Sequence, residues 1–221
     1  KGKETGLFVI DTSTPSIYSD VAFSEKIKEQ LPSTFVVLVG THPSATAVET
    51  LQLGKHVDAV ARKEYDKTII ELAKTLEIGA DLSQVKGLTY RNGEEIRNNE
   101  DISYMENLDE IPFAAEFIKK YFFAAAHYPS IQIFTGRGCP SRCTFCVYPQ
   151  TMHGHQYRLR TPDNVVGEFK YIADNFPDVK EVVIEDDTFT VNKKRVLEIC
   201  NLLCEQGLNK RLKWLCNARV N

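Results

Sequence analysis

The chain has no apolar run approaching the roughly 18 residues that cross a bilayer as a helix. Its longest apolar stretches, around Phe35–Gly40 and Phe122–Ala126, are far shorter. A transmembrane helix is therefore not expected. There is also no basic excess: 27 Lys and Arg stand against 30 Asp and Glu, a net charge of −3. A nucleic-acid groove needs clustered positive charge, so a polyanion partner is not expected. The opening KGKETG carries no apolar core of the kind that marks a secretory leader, and no initiator Met. The last residues, CNARVN, break off in mid-pattern, so the sequence reads as a piece of a longer protein. Six cysteines in 221 residues are too few for a small disulfide scaffold. Without a leader, a reducing cytoplasm is expected, where closely spaced cysteines bind metal or do redox chemistry.

What is present is enough apolar residue, 43% of the chain, to bury a core. The length allows one large domain or two small ones. The first third alternates strand and helix patterns: strands at 6–11, 35–40 and 57–60, helices at 20–31, 45–53 and 65–78. The unbroken apolar run of Phe35–Gly40 suits a strand covered on both faces, and the alternation predicts a parallel α/β sheet. At 85–96, Asn92-Gly93 between two alternating segments predicts a hairpin. Residues 98–129 read as a connector with a helix-like aromatic patch at 117–123. From residue 130 the rhythm resumes, with strands at 131–135, 181–185 and 212–217 and helices at 164–175 and 192–206. Three βα units of this kind are the start of a (β/α) barrel or part-barrel. The expected organisation is an α/β domain over 1–80, a hairpin and linker over 81–129, and a barrel-like domain over 130–221.

The chemistry concentrates in GRGCPSRCTFC, residues 136–146. Cys139, Cys143 and Cys146 form a C-x3-C-x2-C triplet directly after a strand, where the βα loops of parallel barrels carry active sites. Three thiolates can ligate three irons of a [4Fe–4S] cluster, leaving the fourth iron open to a ligand. Gly136 and Gly138 let the backbone pass close by, and Pro140 fixes the turn. A zinc site, with His153, His155 or a distal cysteine as fourth ligand, and simple packing cysteines are the other readings of the triplet. Elsewhere, Cys200 and Cys204 lie one helical turn apart and read as core residues. Arg158 and Arg160 read as site contacts or as a solvated rim. Glu185, Asp186 and Asp187 read as site carboxylates or as a polar cluster preceding a helix.

The spacing C-x3-C-x-aromatic-C resembles the hallmark of the radical SAM superfamily. The longer segments CTFCVYPQTMHGHQYRLRTP, FPDVKEVVIEDDTFT and WLCNARVN are similar to the subfamily that couples a cobalamin-binding domain to a radical SAM domain. Within it they resemble radical SAM proteins associated with hopanoid biosynthesis. The resemblance covers Ser130–Asn221 closely and Leu7–Leu76 in outline.

That resemblance implies a partial Rossmann-like cobalamin-binding domain followed by the first strands of a radical SAM partial TIM barrel. It implies S-adenosylmethionine (SAM) bound at the open iron and cleaved by one electron to a 5′-deoxyadenosyl radical. Methyl transfer to a carbon centre through cobalamin is the implied outcome. The alternatives are a radical C–C rearrangement on a lipid-like or isoprenoid substrate, or a non-catalytic iron–sulfur or cobalamin module. Cys139, Cys143 and Cys146 would hold the cluster and Phe145 would pack near the adenine. Glu185, Asp186 and Asp187 would meet the SAM ammonium or ribose hydroxyls. Asn217 and Arg219 would meet the SAM carboxylate, a planar partner suited to guanidinium. The cobalamin contacts would come from loops after the first three strands: Thr12, Ser13 and Thr14, then Gly40 and Thr41 with His42, then Arg62, Lys63 and Glu64. The D-x-H-x-x-G motif of many cobalamin domains is absent, and His42 does not match it. A reductase, flavodoxin or ferredoxin would supply the electron. The substrate would be a small or lipid-like molecule.

Overall fold

The structure, a computed structural model, describes residues 6–116 and 129–219. The aromatic patch expected to be helical at 117–123 lies outside the described residues. The chain divides into two compact units. One comprises 1–104 with 142–154, the other 105–141 with 155–221.

The first unit is built on a five-stranded sheet, ordered β1-β2-β3-β4-β5. Its strands are β1 (Leu7–Asp11), β2 (Phe35–Val39), β3 (Ala59–Ala61), β4 (Leu88–Asn92) and β5 (Glu95–Asn98). The first three are parallel, with Leu7 opposite Phe35 and Val37 opposite Ala59. Strict side-chain alternation on β2 explains its continuous apolar run. Val37 and Val39 turn to one face, where they meet Leu72 of α4 (Asp66–Ile78). Leu38 turns to the other and packs with Ile17 and Val21 of α1 (Ile17–Gln30) and Leu51 of α3 (Ala47–Leu53). The hairpin at Asn92-Gly93 is not a separate element. Its first strand pairs antiparallel with β3, Val60 opposite Thr89, and extends the sheet. The turn itself is Gly93-Glu94, one residue later than read from sequence, because Asn92 ends β4 opposite Glu95; Gly93 takes φ +64°.

The second unit holds β6 (Ser130–Ile133), β9 (Glu181–Ile184) and β10 (Lys213–Cys216) in one parallel sheet, ordered β10-β9-β6. Crossover helices α5 (Pro162–Asn175) and α6 (Lys193–Glu205) cover one face. Ile131, Ile133, Val182 and Ile184 pack there against Val165, Phe169, Ile172, Ile199 and Leu203. Thr161 caps α5 by accepting the Asn164 N–H, with Pro162 in the first turn, and Asn192 caps α6 by accepting the Arg195 N–H. The opposite face carries Gln132, Val183 and Leu215 in one cross-strand row. A second, two-stranded sheet pairs β7 (Gly136–Arg137) with β8 (Arg158–Leu159), so the chain leaves the main sheet and returns around the cysteine loop.

Candidate functional site

In a parallel sheet the C-terminal strand ends gather the loops that bind ligands. In the second unit those loops follow β6, β9 and β10, and they are tied together by buried polar groups. Asp186, the second residue after β9, is completely buried. Its Oδ1 accepts the backbone N–H of Thr135 at 2.6 Å and of Gly136 at 3.0 Å. Its Oδ2 accepts the Thr135 hydroxyl at 2.6 Å and the Tyr157 hydroxyl at 3.3 Å. Burial pushes the Asp186 carboxyl above its ordinary range, against the opposing pull of the Thr135 and Gly136 donors. Burial also raises the Tyr157 phenol, helped by the neighbouring Asp186 charge.

The carbonyl of Thr135 is held as firmly as its donors. It accepts the Arg160 N–H at 3.0 Å and Nη2 of Arg195 at 2.7 Å. Arg195 also donates from Nε to the Arg160 carbonyl at 3.0 Å. The Arg160 side chain is buried in turn. It pairs with Glu168 at 2.5 Å, donates to the Phe134 carbonyl at 2.6 Å and lies over the Phe113 ring. Arg160, read from sequence as a site contact or rim residue, is thus part of an internal network. Arg158 is likewise buried and donates to the Met105 carbonyl at 2.7 Å.

Further along the loop, Nδ1 of exposed His155 donates to the Cys139 carbonyl at 3.1 Å. Arg219 donates to the Ser141 hydroxyl. Glu185 accepts from Gln132 at 3.0 Å. Asn217 donates weakly to the Asp186 carbonyl at 3.4 Å. Of these four, His155 and Arg219 contact the cysteine loop itself, at Cys139 and Ser141.

All three loop cysteines lie outside any disulfide and are half-buried. Among the described residues, no three His, Cys, Asp or Glu side chains are grouped so as to hold a metal ion. What recommends the trio to iron is donor chemistry. Three part-exposed cysteine thiols on one loop are the soft ligands that an iron–sulfur cluster takes. Phe145, just before Cys146, is 90% exposed, and Val147 and Tyr148 beside it are half-exposed. So large an uncovered apolar side chain is the unusual observation, since burial of such a ring is favourable by a few kcal/mol (about 1.5–3). By contrast, Cys216 packs against the core of the second unit, and burial raises the thiols of Cys200 and Cys216, whereas Cys204, read from sequence as a core residue, is exposed.

In the first unit, the three loops singled out from sequence meet at the C-terminal ends of β1, β2 and β3. Thr12 is buried and donates its N–H to the Val39 carbonyl at 2.9 Å. Gly40 has φ +106°, and a Cβ there would stand 2.4 Å from Asp11 Oδ1 and 2.5 Å from the Thr12 carbonyl. Thr14 Oγ1 lies 3.1 Å from His42 Nδ1. Thr41 opens a short helix, α2 (Thr41–Ala45), which periodicity did not reveal. The Lys63 N–H reaches the Ser44 hydroxyl at 2.8 Å, with Lys63 itself at φ +60°. Ser13 is exposed, whereas Glu64 is buried. Arg62 and Lys63 both pair with Asp101, and the Lys63 hydrogen bond is the main reason that carboxyl lies below its ordinary range. Within this same unit, α2 packs against the π-helical turn Pro149–His153 that follows the third cysteine.

Sequence reasoning missed Thr135, Tyr157 and Arg195. No local signal marks them, because each becomes significant only through a partner from another βα unit.

Comparison with known proteins gives these elements a context. Residues 133–221 match the family model described as the radical SAM superfamily. An uncharacterized methyltransferase of Pyrococcus horikoshii is 30% identical over 213 residues, covering 96% of this chain and 46% of that protein. An anaerobic magnesium-protoporphyrin IX monomethyl ester cyclase of Cereibacter sphaeroides is 29% identical, covering 94% of this chain and 34% of the relative. A hopanoid C-3 methylase of Methylococcus capsulatus is 26% identical, covering 86% and 36%. The chain thus spans a third to about half the length of these relatives. Among solved structures, the radical SAM methyltransferase TsrM of Kitasatospora setae, with cobalamin and a [4Fe–4S] cluster bound, superposes with a TM-score of 0.69 at 16% identity. That match covers 96% of this chain and 44% of TsrM. The cobalamin-dependent radical enzyme OxsB, with aqua-cobalamin and SAM bound, gives 0.71 at 18% identity, covering 96% and 30%. The α/β architecture is that of these cobalamin-binding radical SAM proteins.

Proposed function

Starting from the premise that residues 133–221 are a radical SAM domain, we propose that the chain is part of a cobalamin-dependent radical SAM methyltransferase acting on a carbon centre. The observation that carries this reading is the half-buried cysteine triplet, outside any disulfide, with exposed Phe145, on the loop that leaves a parallel sheet at its C-terminal edge. A bound cluster would supply the single electron that breaks SAM, and a bound corrinoid would supply a transferable methyl group.

The chain's own residues do the rest. Cys139, Cys143 and Cys146 would hold the cluster through their three thiolates. Phe145 offers its uncovered ring to the adenine, which removes apolar area from water. Glu185 and Asp187, after β9, receive the SAM ammonium and ribose hydroxyls. Asn217 and Arg219, after β10, receive its carboxylate. Thr12, Ser13, Gly40, Thr41 and Glu64 supply hydroxyl, backbone and carboxylate groups along the corrinoid-binding edge of the first sheet. In the first unit, α2 at that edge packs on Pro149–His153, the turn that follows Cys146.

The substrate is a small or lipid-like molecule, the electron donor is a flavodoxin, ferredoxin or dedicated reductase, and the setting is cytoplasmic. Among the described residues no helix is long and apolar enough to cross a membrane. A second reading, radical C–C bond formation or rearrangement without methyl transfer, draws on the cyclase relative. The experiment is anaerobic reconstitution of the full-length protein, with iron and cobalt counted and 5′-deoxyadenosine and S-adenosylhomocysteine measured. Both products, with both metals bound, support methyl transfer. 5′-Deoxyadenosine alone supports the second reading. Neither product from reduced, cluster-loaded protein overturns both.

A further inference from the structure

The carboxylate expected from sequence to grip SAM is engaged inside the protein. Asp186 has no exposed surface, and its two oxygens accept four donors: Thr135 N–H, Gly136 N–H, Thr135 Oγ and Tyr157 Oη. A carboxylate has about four good acceptor directions, so little capacity is left for a ligand. The donors are not scattered. Gly136 opens β7, with Thr135 just before it, and β7 leads into the cysteines; Tyr157 sits just before β8, where the chain returns. Thr135 is held from its other side too, because its carbonyl accepts from Arg160 and Arg195. Every polar atom of Thr135 is thus engaged, and all the partners come from later in the chain.

We propose that Asp186 is a positioning residue for the cysteine loop, acting through Thr135 and Gly136, and not a ligand of SAM. The assignment rests on the radical SAM reading for what the loop holds, but the clamp itself is a property of this fold. Each buried donor would lose a partner if the carboxylate were removed, so the loop base would move to find one. Cluster chemistry is sensitive to such movement. Hydrogen bonding and solvent access around thiolate ligands set cluster properties, and small misplacements at a reacting centre cost rate out of proportion to distance.

Charge and geometry separate cleanly here. In Asp186→Asn, the remaining oxygen can still accept both N–H groups, while the new NH2 can donate to the hydroxyls of Thr135 and Tyr157. In Asp186→Ala none of the four is satisfied. Thr135→Val removes one hydroxyl partner without touching the carboxylate.

The test uses full-length protein, anaerobically reconstituted, as wild type and these three variants. The electron paramagnetic resonance spectrum of the reduced cluster is recorded without SAM, and SAM cleavage is assayed for kcat and KM. The clamp predicts an altered SAM-free spectrum and a kcat lowered about tenfold or more in Asp186→Ala. It predicts a smaller change of the same kind in Thr135→Val. In both, the SAM KM stays within about threefold of wild type. Asp186→Asn behaves like wild type. The opposite pattern overturns the proposal: Asp186→Asn as damaging as Asp186→Ala, with a raised KM and an unchanged SAM-free spectrum, and Thr135→Val silent. That is the signature of a charge contacting SAM directly.

Amide hydrogen exchange across 135–146 in cluster-free protein keeps the two levels of the argument apart. Faster exchange in Asp186→Ala and Thr135→Val, but not in Asp186→Asn, supports the clamp even if the wild type never cleaves SAM, a result that would sink only the functional reading. Unchanged exchange in all three variants overturns the clamp.

Discussion

Thr135 gives both of its donors to one carboxylate: its N–H lies 2.6 Å from Oδ1 of Asp186 and its hydroxyl 2.6 Å from Oδ2. The pair joins the end of the first strand of the second unit to the end of the next, with the cysteine loop opening from Gly136. Removing the hydroxyl while keeping the shape should leave a buried acceptor one donor short. Thr135→Val is therefore expected to lower stability by about 1–3 kcal/mol. Chemical denaturation with an unchanged m-value measures this. A Thr135→Val protein as stable as wild type would mean that the hydroxyl contributes nothing net.

Asp186 also fixes the sign of a pH effect. Its carboxyl is raised in the folded state, chiefly by burial, so the folded protein binds this proton more tightly than the unfolded chain does. Stability from this group then rises as pH falls from the raised folded value toward the unfolded value near 3.8. At neutral pH the ionised group carries a desolvation cost that an amide lacks. Asp186→Asn should melt at or above the wild-type temperature at pH 7, with the gap narrowing as the buffer is made acidic. A gap that widens toward acid would contradict the assignment.

The Arg160–Glu168 pair is buried on both sides, with 7% and 0% of the side chains exposed. Deleting one partner strands the other. Glu168→Ala leaves the Arg160 guanidinium uncompensated inside the second unit and should cost about 3–5 kcal/mol. Double replacement of both residues by apolar side chains of similar volume should recover much of that loss. Equilibrium unfolding of the two variants distinguishes this from a surface pair, where both changes would be nearly neutral.

Gly40 is the one glycine of the first unit where conformation and space coincide at the proposed corrinoid edge. Its φ of +106° disfavours any side chain, and a Cβ would collide with Asp11 and the Thr12 carbonyl. Gly40→Ala should cost about 1–3 kcal/mol and push apart the loops after β1 and β2. Thermal melts report the first effect, and the cobalt bound per chain after reconstitution reports the second. Full cobalt retention with normal stability would show that the edge tolerates the change.

Much of the fold was legible because burial writes itself into periodicity. The run from Phe35 to Val39 announces a strand covered on both faces, and Leu72 and Phe169 announce helix faces turned inward. What stayed hidden was short or non-local. β7 and β8 have two residues each, too few for a pattern. Thr41–Ala45 carries a proline and makes a single helical turn, so it reads as loop. The hairpin at Asn92-Gly93 was visible, but not its pairing with β3, because pairing partners are set by tertiary burial. At the site, the cysteine spacing marks a loop, whereas the polar partners around it come from distant parts of the chain. The burial of Asp186 was hidden too, because a carboxylate held by backbone N–H groups and one exposed to a ligand look the same in sequence.

The central claim is that the cysteine triplet holds a cluster that breaks SAM. Its most direct measurement is 5′-deoxyadenosine formed by dithionite-reduced, full-length, reconstituted protein, beside the same protein carrying Cys143→Ala. The account predicts near-stoichiometric or multiple-turnover formation by the first and none by the second. Equal formation by both, or none by a wild type shown to carry its full iron, would contradict it.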